Sequence, residues 1–176
     1  ALGHADIRVR ATAADGTVST DSFRVRVAGE NAYTVAVLPD TQNYTSGNGG
    51  AKAQTFYDMT QWLVDNKDSH NIRFVAHVGD ITDDNLPQQW VIAERAMRTL
   101  DGVIPYSLLP GNHDQANGGT AADHTTRYLD DLFSPDKQAA VSDTFGGVYD
   151  QEPARSANNF HTFAAPDGTR WLVLSL

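Results

Sequence analysis

The sequence predicts an α/β protein, a parallel sheet flanked by helices, preceded by a β-hairpin. Three observations predict it. Runs rich in aliphatic and β-branched residues at 33–38, 72–78 and 104–109 are each bounded by turn formers, as buried strands are. The two intervals between these runs carry apolar residues at helical spacing, the alternation of a parallel sheet with crossover helices. Ahead of them, residues 5–27 alternate apolar and polar with a period of two about a central Asp15-Gly16 turn.

Taken in order, Ile7, Val9 and Ala11 alternate with Arg8 and Arg10, and Phe23, Val25 and Val27 repeat the alternation after the turn. This hairpin resembles the last two strands of an immunoglobulin-like or cadherin-like sandwich, with Gly29-Glu30-Asn31 as linker, so residues 1–30 form one unit and 31–176 another. A lone hairpin is marginal in water, so these strands need a partner. After the strand at 33–38, residues 43–50 are Gly-rich and read as a flexible loop that shapes access. Phe56, Met59, Trp62 and Leu63 mark a helix over 52–66. The strand at 72–78 leads to Asp84 and Asn85, expected to cap a helix near Pro87. That helix, over 88–100, shows Trp90, Ile92, Ala93, Ala96, Met97 and Leu100 on one face and Gly102 as its stop. Beyond the strand at 104–109 come a loose stretch at 115–123, a short helix at 126–133, and two strands at 158–164 and 169–175 joined by Asp167-Gly168. Trp62, Trp90 and Trp171 read as core residues, and His77 as a satisfied core histidine. His70 reads as an exposed loop residue, and His4 as a tag remnant or strand residue.

The strand ends carry the chemistry. A right-handed β-helix-β crossover aligns its strands in parallel, so their carboxyl ends share one edge of the sheet, where ligand sites gather. Asp40, Asp80 and Asn112 follow the three strands and stand 40 and 32 positions apart, so this topology brings them together. Clustered carboxylates repel unless a cation compensates, which makes a metal the natural resident. Two metals could stabilise both oxygens of an in-line phosphoryl displacement. His113 suits protonation of the departing oxygen, with Asp114 holding the imidazole in its charged form. A lone Gly-Asp after a strand is usually only a turn; three such ends in register point to a site.

Gly79-Asp80-Ile81-Thr82-Asp83 and Gly111-Asn112-His113-Asp114 resemble two blocks of the calcineurin-like metallophosphoesterase family, and Asp40-Thr41-Gln42 resembles its Asp-x-His block with Gln42 in place of histidine. The resemblance covers residues 33–176 and implies an αββα fold, a β-sandwich flanked by helices. It implies two divalent metal ions (Mn, Fe, Zn or Mg) and hydrolysis of a phosphomonoester or phosphodiester by a metal-bridging hydroxide. Asp40 and Gln42 would bind the first ion, Asp80 would bridge both, and Asn112 would bind the second. His113 would act on the leaving group, Asp114 would orient it, and Asp83 would brace the ligands by hydrogen bonds. A carboxamide is harder and weaker than imidazole, which favours Mn²⁺ or Mg²⁺ over Zn²⁺. Asp-Thr-Gln is similar to a subgroup of secreted or surface bacterial phosphoesterases. The family's two later histidine motifs are not among these residues, and 171–176 reads as a core strand at which the sheet is cut. His124 and His161 are the only later histidines, and neither lies in Gly-His-x-His.

Composition narrows the partners. A net charge of −9 argues against a broad nucleic-acid footprint, which needs clustered Lys and Arg. No apolar run approaches the roughly 20 residues that cross a bilayer. With no cysteine, disulfides and thiolate ligands are excluded. The expected partners are a phosphoester substrate and, in the parent protein, a tandem Ig-like domain. The alternative function is a non-catalytic, metal-braced surface or adhesion module. A carbohydrate hydrolase fits less well, because adjacent Asp83 and Asp84 do not give the carboxylate separation of about 5–9.5 Å that such chemistry uses.

Overall fold

Alternating apolar and polar residues form an antiparallel hairpin in the computed structural model, which describes residues 3–27, 29 and 31–176. Strands β1 (Gly3–Thr12) and β2 (Val18–Val27) pair with Ile7 opposite Phe23 and Asp6 opposite Arg24. Asp6 and Arg24 form an exposed ion pair at 2.7 Å. The turn is closed by the Gly16 amide donating to the Ala13 carbonyl and the Thr17 amide donating to the Asp15 carboxylate. The side chains of His4, Phe23, Val25 and Val27, and Glu30 of the expected linker, lie outside the described residues. The hairpin belongs to the unit Ala1–Ala32, and everything below belongs to the unit Tyr33–Leu176.

In the second unit β3 (Thr34–Leu38), β4 (Ile72–His77) and β5 (Tyr106–Ser107) form a parallel sheet in the order β3-β4-β5. A short helix α1 (Gln42–Ser46) and a 3₁₀ turn (Asn48–Gly50) follow β3, and α2 (Ala53–Asp65) then returns the chain to β4. Between β4 and β5 lies α3 (Pro87–Met97), extended by a 3₁₀ turn to Leu100. After α4 (Arg127–Leu132) and α5 (Pro135–Val141), strands β6 (Phe145–Val148), β7 (Asn159–Ala164) and β8 (Arg170–Ser175) form a second, antiparallel sheet. Pleating sends Val75 and His77 of β4 to one face, where the His77 ring lies 6.1 Å from Phe56 of α2. It sends Phe74 to the other, where its ring stacks on Phe163 of β7 at 5.2 Å. The two sheets therefore face each other, with helices behind the first. Phe56, Leu63, Val75, Trp90, Ala93, Met97 and Leu100 are core residues.

Several expectations are corrected. The stretch 43–50 is a helix and a 3₁₀ turn rather than an unstructured loop. Trp62 and Trp171 are surface residues, 51% and 43% exposed. Trp62 lies beside the buried Phe56, Thr60, Leu63 stripe of α2 and leans on His70, while Trp171, on edge strand β8, donates its indole N–H to the Tyr33 hydroxyl at 2.7 Å. Asp84 and Asn85 do not cap α3: its N-cap is Leu86, and the Asn85 side chain instead takes the Trp90 indole N–H at 2.7 Å. The third strand shrinks to two residues; at its start the Ile104 amide turns back to the Leu100 carbonyl, and Pro105 has no N–H to offer the ladder though its carbonyl accepts the Val75 amide.

Candidate functional site

The ends of β3, β4 and β5 are joined through Asp80. Its carbonyl accepts the Thr41 amide at 3.0 Å, between Asp40 and Gln42 in the chain, and its carboxylate accepts the His113 amide at 3.1 Å, beside Asn112. The connection needs close approach of two loops. A Cβ on Gly79 would lie 2.8 Å from the Gly111 nitrogen, and one on Gly111 would run into the Asp80 carboxylate and amide. The structure thus brings Asp80, Asn112 and His113 together, with Asp40 and Gln42 on the adjoining segment.

His77 braces the same loops from beneath. Thr41 donates its hydroxyl to the Ile81 carbonyl at 3.1 Å, so it accepts from His77 Nε2 at 3.0 Å, while His77 Nδ1 accepts the Gly79 amide at 3.2 Å. A neutral ring is fully satisfied, and burial lowers its pKa to about 3. The core-histidine reading of His77 fits this geometry.

Asp114 is placed differently from the role expected of it. It is fully buried and gives its oxygens to the amides of Ile81 (2.9 Å), Thr82 (2.7 Å) and Gly111 (2.9 Å) and to the Thr82 hydroxyl (2.8 Å). Burial pushes its carboxyl upward against those four donors. Its carboxylate fastens the β4 loop to the β5 loop and makes no hydrogen bond to the His113 ring. Asp83 supplies that contact. His113 Nδ1 lies 2.6 Å from the Asp83 carbonyl and 3.5 Å from its carboxylate. Because a carbonyl only accepts, Nδ1 carries the proton and Nε2 is the nitrogen left free. The carbonyl bond raises the His113 pKa, opposed by partial burial and reinforced by the charges of Asp80, Asp83 and Asp114. The ring remains 34% exposed.

The donor set fits a hard divalent cation. Among the described residues no three His, Asp or Glu side chains gather as a metal group. The expected set is instead two carboxylates and two carboxamides, all oxygen donors. Gln42 Oε1 is buried without a hydrogen-bond partner, a lone-pair oxygen of the kind a cation satisfies. His161 lies between Phe74 and Phe145, with Nδ1 on Thr144, and His124 is exposed with Nδ1 on Gln115. Sequence reasoning missed Asn48, whose side-chain amide donates to the Asp83 carboxylate across 35 positions. No local pattern marks so distant a contact.

The family described as calcineurin-like phosphoesterase matches residues 33–173. The Bacillus subtilis (strain 168) protein YvnB, described as uncharacterized, is 40% identical over 87 residues, which is 48% of this chain. The chain spans only 6% of YvnB. No solved structure matches.

Proposed function

We propose that this chain, which belongs to the calcineurin-like phosphoesterase family, hydrolyses phosphomonoesters or phosphodiesters at the site built around Asp80, using two divalent cations. The observation that carries the reading is the joining of three parallel strand ends through the two polar groups of Asp80. By family position Asp40 and Gln42 would hold the first ion, Asp80 both, and Asn112 the second. Bound there, the ions would neutralise charge on the phosphoryl group and acidify water. The carboxamides favour Mn²⁺ or Mg²⁺.

The protein's own residues supply the proton. His113 is held at Nδ1 by Asp83, so its free Nε2–H points away from that bond and can pass to the departing alkoxide oxygen. The ring then becomes neutral while keeping Nδ1–H on the carbonyl. Its raised pKa favours the protonated form that this step consumes. Asp114 keeps Gly111 and Thr82 in register, so the imidazole and the Asp80 carboxylate stay on one rigid base.

Two further parts of the reading concern setting. The apolar Ile7, Val9 and Val18 of the hairpin are exposed, which supports its placement in an Ig-like domain of a longer polypeptide. A secreted or surface location rests on the Asp-Thr-Gln resemblance. Gln42 favours one second reading, a metal-braced surface module without turnover, which would show Mn²⁺-dependent thermal stability and no hydrolysis.

The test is Mn²⁺-dependent hydrolysis of bis(p-nitrophenyl) phosphate and p-nitrophenyl phosphate, with calorimetric Mn²⁺ titration beside it. His113→Ala should lose about 10²–10⁴ in turnover with its Mn²⁺ binding retained. Asp80→Ala should lose both. An Asp80→Ala protein that hydrolyses as fast as the parent would rule the reading out.

A further inference from the structure

We propose that Asn48 is a positioning residue for His113, acting through the Asp83 carboxylate. Asp83 divides its oxygens. Its carbonyl takes His113 Nδ1 at 2.6 Å, one carboxylate oxygen lies 3.5 Å from the same nitrogen, and the other accepts the Asn48 side-chain amide. The Asp83 side chain is 13% exposed and Asn48 lies on the surface, so water replacing the lost donor would not fix the carboxylate in one direction. Without Asn48 the carboxylate is free to turn about its side-chain bonds and leave the His113 nitrogen, while the Asp83–Asp84 peptide stays held by Gln89 Oε1 at 2.9 Å from the Asp84 amide.

Asn48 is itself placed rather than drifting. Gly47, at φ +79°, ends α1 with its amide on the Asn43 carbonyl, and the Asn48 amide donates to the Ser46 hydroxyl at 3.3 Å. The turn thereby runs from Gln42, at the start of α1, back to Asp83, across to His113 after β5. One neutral side chain links the segment bearing the first ligand pair to the group assigned the proton transfer. Neutrality matters there. A lysine at this point would add charge beside Asp80 and Asp83 and compete with a cation, whereas a carboxamide donates without altering the charge of the site.

The catalytic consequence rests on the phosphoesterase reading, while the geometric half does not, and the experiment separates them. In the 176-residue chain without metal, the imidazole ¹H–¹⁵N resonances of His113 would be compared between parent, Asn48→Ala and Asn48→Asp. Both variants should shift the Nδ1–H signal, Asn48→Asp further, because it sets a second carboxylate against Asp83. With Mn²⁺ and bis(p-nitrophenyl) phosphate, Asn48→Ala should lower kcat about tenfold, part of the gain a well-placed acid supplies, and leave KM unchanged. In an Asp83→Ala background the same substitution should cost nothing more, since the route through Asp83 is already gone. An unshifted His113 resonance overturns the proposal whether or not the parent turns over. So does a loss confined to KM, or one that persists undiminished beside Asp83→Ala. If the parent shows no turnover but the resonance shifts, the positioning contact stands and the phosphoesterase reading is what fails.

Discussion

Gly111 bears no side chain because Asp80 fills the space one would need. Its φ of −84° and ψ of −175° are open to any residue, so the constraint is steric and lies in the neighbouring loop. Gly111→Ala should therefore push the Asp80 carboxylate out of line. The expected outcome is Mn²⁺ affinity weakened by at least about tenfold and a stability loss of about 1–3 kcal/mol, the usual cost of overpacking. Calorimetry and urea unfolding read the two effects, and a parent-like isotherm would show that the loops yield without moving Asp80. At this scale the strand-end positions of Asp40, Asp80, Asn112 and His113 were legible, because apolar runs followed by Gly and Asp or Asn mark them locally. The partners of Asp114 and of Asp83 were not. Asp114 reaches back 32 and 33 positions to Thr82 and Ile81, and Asn48 reaches forward 35 to Asp83, distances over which sequence spacing carries no signal.

Helix α3 fixes both site loops through one indole. Trp90 is buried and donates to Asn85 Oδ1 at 2.7 Å, while Asn85 Nδ2 donates to the Ala116 carbonyl, so α3, the β4 loop and the segment after His113 share one hydrogen-bonded chain. Trp90→Phe would keep most of the apolar contact, leave a buried carbonyl oxygen unpaired and open a small void. The expected loss is about 2–3 kcal/mol, seen as a lower urea midpoint with unchanged slope. A loss under about 0.5 kcal/mol, the level of an ordinary surface change, would mean that Asn85 finds another donor. Helices α2 and α3 were legible because their apolar faces repeat over three turns. Others were masked by their own chemistry. Helix α5 is short, though Ser134 accepting the Lys137 amide and Pro135 at the first position do mark its start. Strand β6 contains Gly146 and Gly147, which interrupt the apolar alternation that would mark a strand. Gly146 stands in a strand because the Phe160 ring lies against it where a Cβ would be.

For the whole molecule, the buried histidines set the response to acid. Burial lowers His77 to about 3 and His161 to about 4, against 6.5 for an unfolded histidine. His77 has a second reason to stay neutral, since Nδ1 already accepts the Gly79 amide and a proton there would face another proton. His161 Nε2 is buried without a partner, between the rings of Phe74 and Phe145. Above pH 6.5 both states hold these two rings neutral, so His77 and His161 give no pH dependence there. As pH falls below 6.5 the unfolded chain takes up two protons that the folded chain refuses, and stability drops. Each contributes about 1.4 kcal/mol per pH unit once well below 6.5, His161 until about pH 4 and His77 until about pH 3. Together they remove at most about 7 kcal/mol by pH 4, which reaches the lower part of a typical margin of about 5–15 kcal/mol. Asp114 runs the other way, because its raised pKa lets the fold accept a proton before the unfolded chain does, which softens the lower end of the decline. Urea unfolding in EDTA at pH 7, 6 and 5 should show this fall. His161→Phe, which keeps an aromatic ring between Phe74 and Phe145, should reduce the slope by about one proton's worth. A stability profile flat between pH 7 and 5, or one that His161→Phe leaves unaltered, would mean that these rings are protonated inside the fold and that the space between the sheets admits water.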